Sequence, residues 1–401
     1  MSRSGFAVTG VLASSLLLHL GWTTTALASL APSVVGTPSP KYCPSTCQDL
    51  FINLNASAST IAVPPLTNLS APGAITKLLA TVPDVVAGGK TQEQSAESYI
   101  SARYCEPTAQ KDAHPDVIQL LVHGGTYQKD YWAGGGYHDF DGDRYSWIAY
   151  AASQGYASLS IDQLGNGQSS HLEPANVVQA SLQEAIVHEI ILQLKAGQIG
   201  SKAYPNVVYV GHSLGSLLGT RIAQDHATDA TALILTGFSN DISNNAALVD
   251  TWNLAPAADV WPQYHALQPG YLAIQNEAGR TNSFYYQGRY EPNLPHLDFE
   301  LEGTLSVGEA FGLSSMPAPA YTGPVLVVTG DHDAVFCGNV TPANCLPASS
   351  SPPAKSASYF KHASSFDYIL AHESGHLINF HYSAPDTFAQ VHDWISRQEF
   401  V

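Results

Sequence analysis

The sequence has few charged residues, and most of them are acidic. Of its 401 residues only 12% are Asp, Glu, Lys or Arg, and 16 basic against 33 acidic side chains give a formal net charge of −17. A chain with this balance repels phosphate backbones and anionic lipid surfaces, which argues against nucleic acid as a partner. Its hydrophobic content of 45% is too high for a disordered chain. The composition therefore predicts a folded protein.

A long hydrophobic stretch is found only at the start of the chain. Arg3 precedes the mostly apolar residues 6–20, and Ala-Leu-Ala at 26–28 forms an A-x-A cleavage pattern. The stretch is short and is interrupted by polar residues, so it is poorly suited to cross a bilayer. Residues 1–28 are therefore predicted to be a secretory signal peptide. The mature protein is expected to be secreted and to have no membrane span.

Cysteine is also scarce, with five in the chain. Cys337 and Cys345 lie close together and are expected to close a loop, while Cys105 is expected to pair with Cys43 or Cys47 if the two early strands are neighbours. Because no second Cys or His pair accompanies Cys43 and Cys47, a zinc site is disfavoured. Three N-x-[ST] sequons are candidate glycosylation sites in an exported protein: Asn55, Asn68 and Asn339.

Short apolar runs alternate with helical patterns along most of the chain. The two early runs alternate apolar and polar residues, as antiparallel strands do. The six later runs are nearly continuous, as in strands that are buried on both faces of a parallel sheet. The predicted strands are 50–57, 99–105, 117–122, 157–161, 207–210, 232–235, 325–328 and 368–370, and the predicted helices are 145–154, 177–195, 213–226 and 385–398. This pattern predicts an α/β fold with its chemistry at the carboxyl ends of the strands.

The alternation is interrupted by a segment rich in aromatic residues and proline, which lies between two predicted core strands. We expect this segment, residues 240–323, to be an inserted cap, and some of its aromatic side chains to line an apolar substrate pocket. The alternative is that its aromatic residues only form the cap's own core. The predicted core domain then comprises residues 29–239 and 324–401.

The segment around Ser213 has the features of a nucleophile turn. It reads Gly-His-Ser-Leu-Gly at 211–215, a G-x-S-x-G pattern. A run of β-branched and aromatic residues precedes it and a helical pattern follows it. Glycines are needed in such a tight strand-to-helix turn, since side chains there would collide with the backbone. The hydroxyl would stand at the head of a helix, where the helix dipole favours developing negative charge. Ser213 is therefore the predicted nucleophile.

A serine nucleophile needs a histidine base, and the histidine in turn needs an acid. In this strand–turn–helix setting the acid follows the serine and the histidine comes last. Asp333, after the strand at 325–328, is the preferred acid, and Asp331 is its rival. His376, in a Ser-Gly loop before a helix, is preferred as the base over His372 and His381. The two other histidines are then expected to be structural.

Two backbone N–H groups are needed to bind the oxyanion that forms when serine attacks a carbonyl. One is predicted to be that of Leu214, the residue after the nucleophile. The other is predicted to come from the small-residue turn after the third strand, at Gly125 with Thr126 as second choice. The loop at 162–169 is expected to shape the site, without a catalytic role for Asp162.

With these motifs in this order, the sequence resembles the α/β-hydrolase superfamily over roughly residues 118–395, and looks most like its secreted members from filamentous fungi. The resemblance rests on the His-Gly-Gly turn at 123–125, the D-x-x-G-x-G-x-S loop at 162–169, G-H-S-L-G at 211–215, G-D-H-D at 330–333 and G-H-L at 375–377. It implies the α/β-hydrolase fold, with a mostly parallel eight-stranded sheet flanked by helices. It also implies a Ser–His–Asp triad and no metal or organic cofactor. It does not imply one substrate.

The nucleophile narrows the expected chemistry. Epoxide hydrolases and haloalkane dehalogenases of this fold carry aspartate where this chain has Ser213, so acyl transfer is favoured. We expect a serine hydrolase that cleaves a small carboxylic ester or lactone with an apolar or aromatic portion through an acyl-enzyme. The alternatives are a transesterase, thioesterase or carbon–carbon hydrolase that uses the same triad. A secreted binding protein that has lost catalysis is the alternative from another class.

Overall fold

The structure is a computed structural model, and it describes most of the chain after residue 43. The described residues are 44, 46–108, 114–136, 142–241, 251–312, 319–338, 345–398 and 400. The predicted signal peptide, Cys43 and the sequon at Asn339 lie outside these residues.

The described residues form one large and one small β-sheet. The strands are, in chain order, β1 (Cys47–Ile61), β2 (Thr91–Cys105), β3 (Val117–Val122), β4 (Ala157–Ile161), β5 (Asn206–His212), β6 (Ala232–Thr236), β7 (Leu254–Pro256), β8 (Tyr271–Ile274), β9 (Leu305–Ser306), β10 (Val325–Gly330) and β11 (Phe366–Ala371). The large sheet has eight strands in the order β1-β2-β4-β3-β5-β6-β10-β11. Its first two pairings are antiparallel and the others are parallel. The predicted fold class and mainly parallel eight-stranded sheet are confirmed.

The central strands agree closely with the sequence pattern, whereas the two early strands are much longer than predicted. The pattern predicted 50–57 and 99–105, but β1 and β2 each have 15 residues and pair along their whole length. The missed part of β2 is mostly polar and half-exposed, so it carries little of the apolar alternation by which strands are recognised.

Helices cover both faces of the large sheet. They are α1 (Ala74–Leu79), α2 (Val82–Ala87), α3 (Trp147–Ser153), α4 (Ala180–Lys195), α5 (Leu214–Asp225), α6 (Ala257–Val260), α7 (Glu277–Phe284), α8 (Leu294–Glu300), α9 (Val307–Gly312), α10 (Pro352–Lys355) and α11 (Ala384–Ser396). The apolar faces of α4 and α5 share one core with alternate strand residues, and those of α3 and α11 share a second core with the others. Side chains of successive strand residues point to opposite faces, so β3, β5, β6 and β10 each contribute to both cores, while the apolar side chains of β4 all join the first core.

Between β6 and β10 the chain leaves the large sheet. The described part of this segment contains the antiparallel sheet β7-β8-β9 and helices α6 to α9, so the aromatic-rich insertion has strands as well as helices. The boundaries predicted for the core and for the cap at 240–323 stay predictions.

Two disulfides join cysteines that the sequence analysis paired. Cys47 bonds Cys105 and Cys337 bonds Cys345. The first follows from strand register, because these residues face each other at the ends of β1 and β2. The sequon residues Asn55 and Asn68 are both exposed. Among the described residues, no helix combines the length and the apolar character needed to cross a membrane.

Candidate active site

Ser213 lies in a strained turn between β5 and α5. Its backbone has φ 51° and ψ −113°, a conformation that is costly for a residue with a side chain and is typical of functional sites. The Ser213 N–H donates to the carbonyl of Thr236 over 2.9 Å, which ties the turn to β6. The turn therefore holds the serine at the carboxyl end of a central parallel strand.

The glycines on either side of Ser213 are required by space. A Cβ atom on Gly211 would lie 2.5 Å from the carbonyl oxygen of Gly215, and one on Gly215 would overlap the carbonyl oxygen of Val122. Such contacts are closer than real Cβ atoms make, so this part of the predicted G-x-S-x-G motif has a direct steric cause.

His376 and Asp333 are joined by a buried hydrogen bond. His376 Nδ1 lies 2.9 Å from Asp333 Oδ2, and both side chains are almost completely buried. Asp333 Oδ1 accepts the backbone N–H groups of Val335 and Phe336 over 2.8 and 3.1 Å. Because the carboxylate accepts from Nδ1, the imidazole carries its proton there and keeps Nε2 as an acceptor. His376 and Ser213 line the same cavity.

The rival acid Asp331 has different partners. It accepts the backbone N–H groups of Glu373 and Ser374 over 3.1 and 3.2 Å, and it pairs with His332 over 2.7 Å. It also lies 3.3 Å from His372, whose side chain is 81% exposed. Asp331 therefore anchors the loop that leads to the predicted base, and the geometry favours Asp333 as the acid.

His381 also holds this loop in place. Its Nε2 accepts the N–H groups of Tyr286 and Gly375 over 2.9 and 3.1 Å, and its Nδ1 donates to the carbonyl of Leu377 over 2.8 Å. Burial lowers the pKa of His381 to about 4. A neutral imidazole with both nitrogens engaged fits a structural role.

The two predicted oxyanion donors are adjacent in space. Gly125 and Leu214 both line the cavity that contains Ser213, and a Cβ on Gly125 would lie 4.0 Å from Leu214 Cβ. Leu214 is the first residue of α5, where a backbone N–H has no partner within the helix. The N–H of Thr126, the second choice, donates to the carbonyl of Thr304 over 3.0 Å. That hydrogen bond favours Gly125 over Thr126.

Arg280 of α7 connects the insertion to the turn at Gly125 and Thr126 that is predicted to bind the oxyanion (the oxyanion turn), a contact that nothing in the local sequence indicates. The side chain is 1% exposed, and its Nη1 donates to Thr126 Oγ1 over 3.0 Å. Its charge is balanced by Asp298, at 2.8 Å, and by Glu302, at 3.4 Å. The guanidinium also lies over the ring of Tyr127, 4.2 Å from its centroid.

Thr126 itself has φ 61°, which is unfavourable for a β-branched residue. Besides the Arg280 contact, its carbonyl accepts the N–H of Gly303 over 2.9 Å, and its own N–H donates to Thr304. The strained residue next to Gly125 is therefore fixed from three directions by the inserted segment.

Three other polar residues that the motifs contain have surroundings that fit a structural role. His212 stacks on the ring of Tyr131 at 4.6 Å, and burial lowers its pKa well below the usual value. Burial likewise lowers the pKa of His123 to about 4. Asp162 accepts from Lys129 Nζ over 2.7 Å and from backbone N–H groups, which orders the loop at 162–169.

A cavity of about 530 Å³ opens at Ser213 and His376. Its walls are mostly aliphatic and aromatic, and two aromatic residues of the insertion, Trp252 and Phe284, contribute to them. Such a contribution is expected from the aromatic-rich sequence, which does not indicate the particular residues. The size and the apolar walls are those of a small-molecule binding site.

One group in the described part of the chain could bind a metal ion. His188, His226 and Asp229 place ligand atoms within 4.8 Å of one another. His188 Nδ1 already forms a hydrogen bond with Asp229 Oδ2 at 2.6 Å. The group lies at the far end of α5, a helix of 12 residues, and hence roughly 18 Å from Ser213. It is not part of the candidate active site.

The family is established by comparison with known proteins. Residues 119–391, more than half of the chain, match the profile of the alpha/beta hydrolase family. The chain therefore belongs to the alpha/beta hydrolase family. No curated protein sequence matches it.

Solved structures of the same fold are similar to this chain only at low identity. An esterase from Thermogutta terrifontis, solved with malate bound, has 16% identity and a TM-score of 0.51, over 75% of this chain and 94% of that one. An enol-lactonase from Burkholderia xenovorans has 15% identity and a TM-score of 0.50, over 75% and 97%. A bromoperoxidase from Bacillus anthracis has 15% identity and a TM-score of 0.50, over 76% and 97%. These likenesses establish the fold alone.

Proposed function

We propose that this protein is a secreted serine hydrolase that cleaves a carboxylic ester or lactone with an apolar portion. The observation that carries the proposal is the position of Ser213. It stands in a strained turn at a helix N-terminus and shares an apolar cavity with His376, which is hydrogen-bonded to Asp333. An esterase and an enol-lactonase are among the proteins with this fold, so the proposed chemistry has precedent on the same scaffold.

In the proposed reaction Ser213 Oγ attacks the carbonyl carbon, and its proton passes to His376 Nε2. Asp333 holds the imidazole in the required tautomer and stabilises the imidazolium. The N–H groups of Gly125 and Leu214 bind the oxyanion. When the tetrahedral intermediate collapses, the C–O bond breaks and His376 returns the proton to the leaving alcohol. Water then repeats the sequence on the acyl-enzyme, which releases the acid and restores Ser213.

Secretion is the second part of the proposal. It is supported by the predicted signal peptide at 1–28 and by two disulfides, which persist mainly in oxidising compartments. Two sequon residues, Asn55 and Asn68, are exposed and hence accessible to glycosylation. Expression in a secreting host, followed by N-terminal sequencing and glycosidase treatment of the medium fraction, tests this part.

The catalytic part is tested by labelling with a fluorescent alkyl phosphonate and by hydrolysis of p-nitrophenyl acetate. We expect stoichiometric labelling at Ser213, and loss of both labelling and hydrolysis in Ser213→Ala. Ser216→Ala is a matched control, because Ser216 is buried three residues further along α5 and its hydroxyl donates to Thr236. A folded protein without labelling and without hydrolysis would instead support a binding protein on a hydrolase fold.

A further inference from the structure

Part of the cavity wall is formed by a segment that lies outside the family's matched region. The connection between β1 and β2, residues 62–90, contains α1 and α2, whereas the family match begins at residue 119. Five residues from this connection line the cavity together with Ser213 and His376: Thr76, Leu79, Ala80, Val82 and Pro83. The chain thus uses its early antiparallel strands to bring an additional wall to the candidate active site.

This wall is packed against the insertion rather than left free. Ile75 is 6% exposed and belongs to one apolar cluster with Leu272 of β8 and with Val307 and Phe311 of α9. Leu79 and Val82, which line the cavity, pack against the same cluster. A wall built from α1, α2 and the insertion is therefore continuous and apolar at its back.

Hydrogen bonds hold the first part of the connection in place. At its start, the N–H of Val63 donates to Asn176 Oδ1 over 2.9 Å. Further along, Ser70 Oγ donates to Asp259 Oδ2 over 2.5 Å, which ties the connection to α6. Because these contacts tie the segment to the segment before α4 and to the insertion, its position at the cavity is part of the fold.

The lining of the cavity selects against charged ligands. Among the described residues that line it there is no Asp, Glu, Lys or Arg, and its polar groups are those around Ser213 and His376 together with Thr76 and Ser306. A charged group that enters an apolar cavity without a partner loses its hydration uncompensated. Phosphate, carboxylate and ammonium groups are therefore excluded from the part of the substrate that the cavity holds.

The size of the cavity limits the length of the substrate's alkyl chain. A volume of about 530 Å³ corresponds to roughly 18 water-sized groups, at about 30 Å³ each. The ester group and the first atom on either side of it take about five of these groups, and a flexible alkyl group fills only part of the roughly thirteen that remain, so there is room for an unbranched alkyl group of roughly eight to ten carbons.

We infer that the substrate is a neutral ester with a medium-length aliphatic chain, and that α1 and α2 form the wall that selects this chain. The inference rests on the proposed function, since it assigns the substrate class of the same site. The aliphatic chain of the substrate belongs to either the acid or the alcohol of the ester. Both arrangements use the same wall, and the experiment distinguishes them.

The first measurement is kcat/KM along two series of esters, p-nitrophenyl acetate to dodecanoate and ethyl to dodecyl acetate. Each buried CH₂ is expected to raise kcat/KM on the order of fourfold, so about two-hundredfold over four CH₂ groups. The rise should occur in one series and stop at about eight to ten carbons. A flat or falling profile in both series would overturn the inference.

The second measurement locates the wall. Val82→Trp fills the cavity from α2, and Ala87→Trp places the same side chain on the solvent-exposed end of α2. We expect Val82→Trp to lower the ratio of kcat/KM for the octanoyl or octyl ester to that for the shortest ester at least tenfold. Ala87→Trp should leave this ratio unchanged. An unchanged ratio in a folded Val82→Trp protein would contradict the assignment.

Ala80→Phe provides a second filling variant if Val82→Trp does not fold, because Ala80 lines the cavity but is exposed at the end of α1. It should lower the same ratio. Failure of the proposed function can be distinguished from failure of the proposed substrate class. If the phosphonate does not label Ser213 and p-nitrophenyl acetate is not cleaved, the proposed function is wrong. If labelling and acetate hydrolysis occur but neither chain length nor a filling variant matters, only the substrate class is wrong.

Discussion

Replacing Arg280 by Met tests whether the insertion holds the oxyanion turn in place. The variant keeps an apolar side chain of similar length but removes the guanidinium that donates to Thr126 and pairs with Asp298 and Glu302. Both acids are almost completely buried. The change therefore separates the electrostatic role of Arg280 from the packing of its stem.

The expected cost follows from what remains around the two carboxylates. Among the described residues, Asp298 keeps the Tyr127 hydroxyl at 3.1 Å, and Glu302 keeps the N–H of Ile274 at 2.7 Å and the indole N–H of Trp261 at 3.3 Å. Removing one partner of a buried ion pair costs about 3–5 kcal/mol of unfolding free energy. For a chain of 401 residues this is a fall in Tm of roughly 4–6 °C, at about 2.1 cal/mol/K per residue.

The destabilisation caused by Arg280→Met should depend on pH. Burial raises the pKa of Glu302 to about 7, and the Arg280 charge opposes that rise. Without Arg280, this carboxyl would ionise at still higher pH. A carboxyl whose folded-state pKa is raised loses stability as pH rises, because the unfolded chain ionises first. The destabilisation by Arg280→Met, relative to the unsubstituted protein at the same pH, should therefore be larger at pH 8 than at pH 5.

Urea unfolding at both pH values measures the stability, and ester kinetics measure the effect on the site. We expect kcat to fall about tenfold with KM nearly unchanged, because the turn that carries Gly125 is displaced while the apolar walls remain. Arg397→Met, which removes a surface pair with Asp393, is the matched control and should cost less than about 1 kcal/mol.

A second substitution tests whether unpaired buried charge causes the loss of stability in Arg280→Met. Asp298→Asn in the Arg280→Met background removes one of the two buried carboxylates that have lost Arg280 and should restore at least half of the lost stability. If stability is not restored and the loss is equal at pH 5 and pH 8, the role of Arg280 is packing alone. If kcat is also unchanged, the insertion does not position the oxyanion turn.

Three further predictions concern individual groups. Asp333→Asn should lower kcat for ester hydrolysis about 10⁴-fold by favouring the wrong imidazole tautomer. Asp331→Asn should mainly lower the Tm in thermal melting. If Asp331→Asn instead abolishes hydrolysis and Asp333→Asn only lowers the Tm, Asp331 is the acid. Burial raises the pKa of Glu309 to about 7, so Glu309→Gln should stabilise the protein by about 2–3 kcal/mol more at pH 8 than at pH 5 in urea unfolding, and an equal effect at both would refute this. Burial lowers the pKa of His392 to about 4, so stability should fall as pH drops from 6.5 to 4, and His392→Gln should make that fall shallower by up to about 3 kcal/mol.

The core of the fold could be predicted because its strands are buried on both faces. Val117–Val122 and Ala157–Ile161 are short, mostly apolar runs of strand length and were predicted with the bounds that the structure has. Each ends at a polar or glycine residue, where the carboxyl edge of the sheet begins. Periodicity and length were therefore sufficient.

The candidate site residues could be predicted for a related reason. Ser213 directly follows β5, and Asp333 follows β10 within a few residues, so the parallel sheet itself brings them to one edge. The choice between Asp331 and Asp333 was harder, since both follow the same strand. It depends on which carboxylate reaches His376, and that is a property of the folded loop.

The contacts made by the insertion could not be predicted, because they join residues that are far apart in the chain. Arg280 and Thr126 are 154 positions apart, and a single arginine in an aromatic-rich segment has no local signal of its partner. The α1–α2 connection was missed because each helix has six residues, too few for a 3.6-residue period to be recognised.

These two missed features bear on different steps of the proposed reaction. The α1–α2 wall brings none of the proposed catalytic groups to the cavity, so we expect it to affect the substrate and the transition state alike and to discriminate between chain lengths. Arg280, Gly303 and Thr304 instead act on Thr126, next to the N–H of Gly125 that would bind the oxyanion. A strained residue persists only where its surroundings over-determine it. We therefore expect the polar contacts of the insertion to affect kcat, and its apolar contacts to affect the choice of substrate.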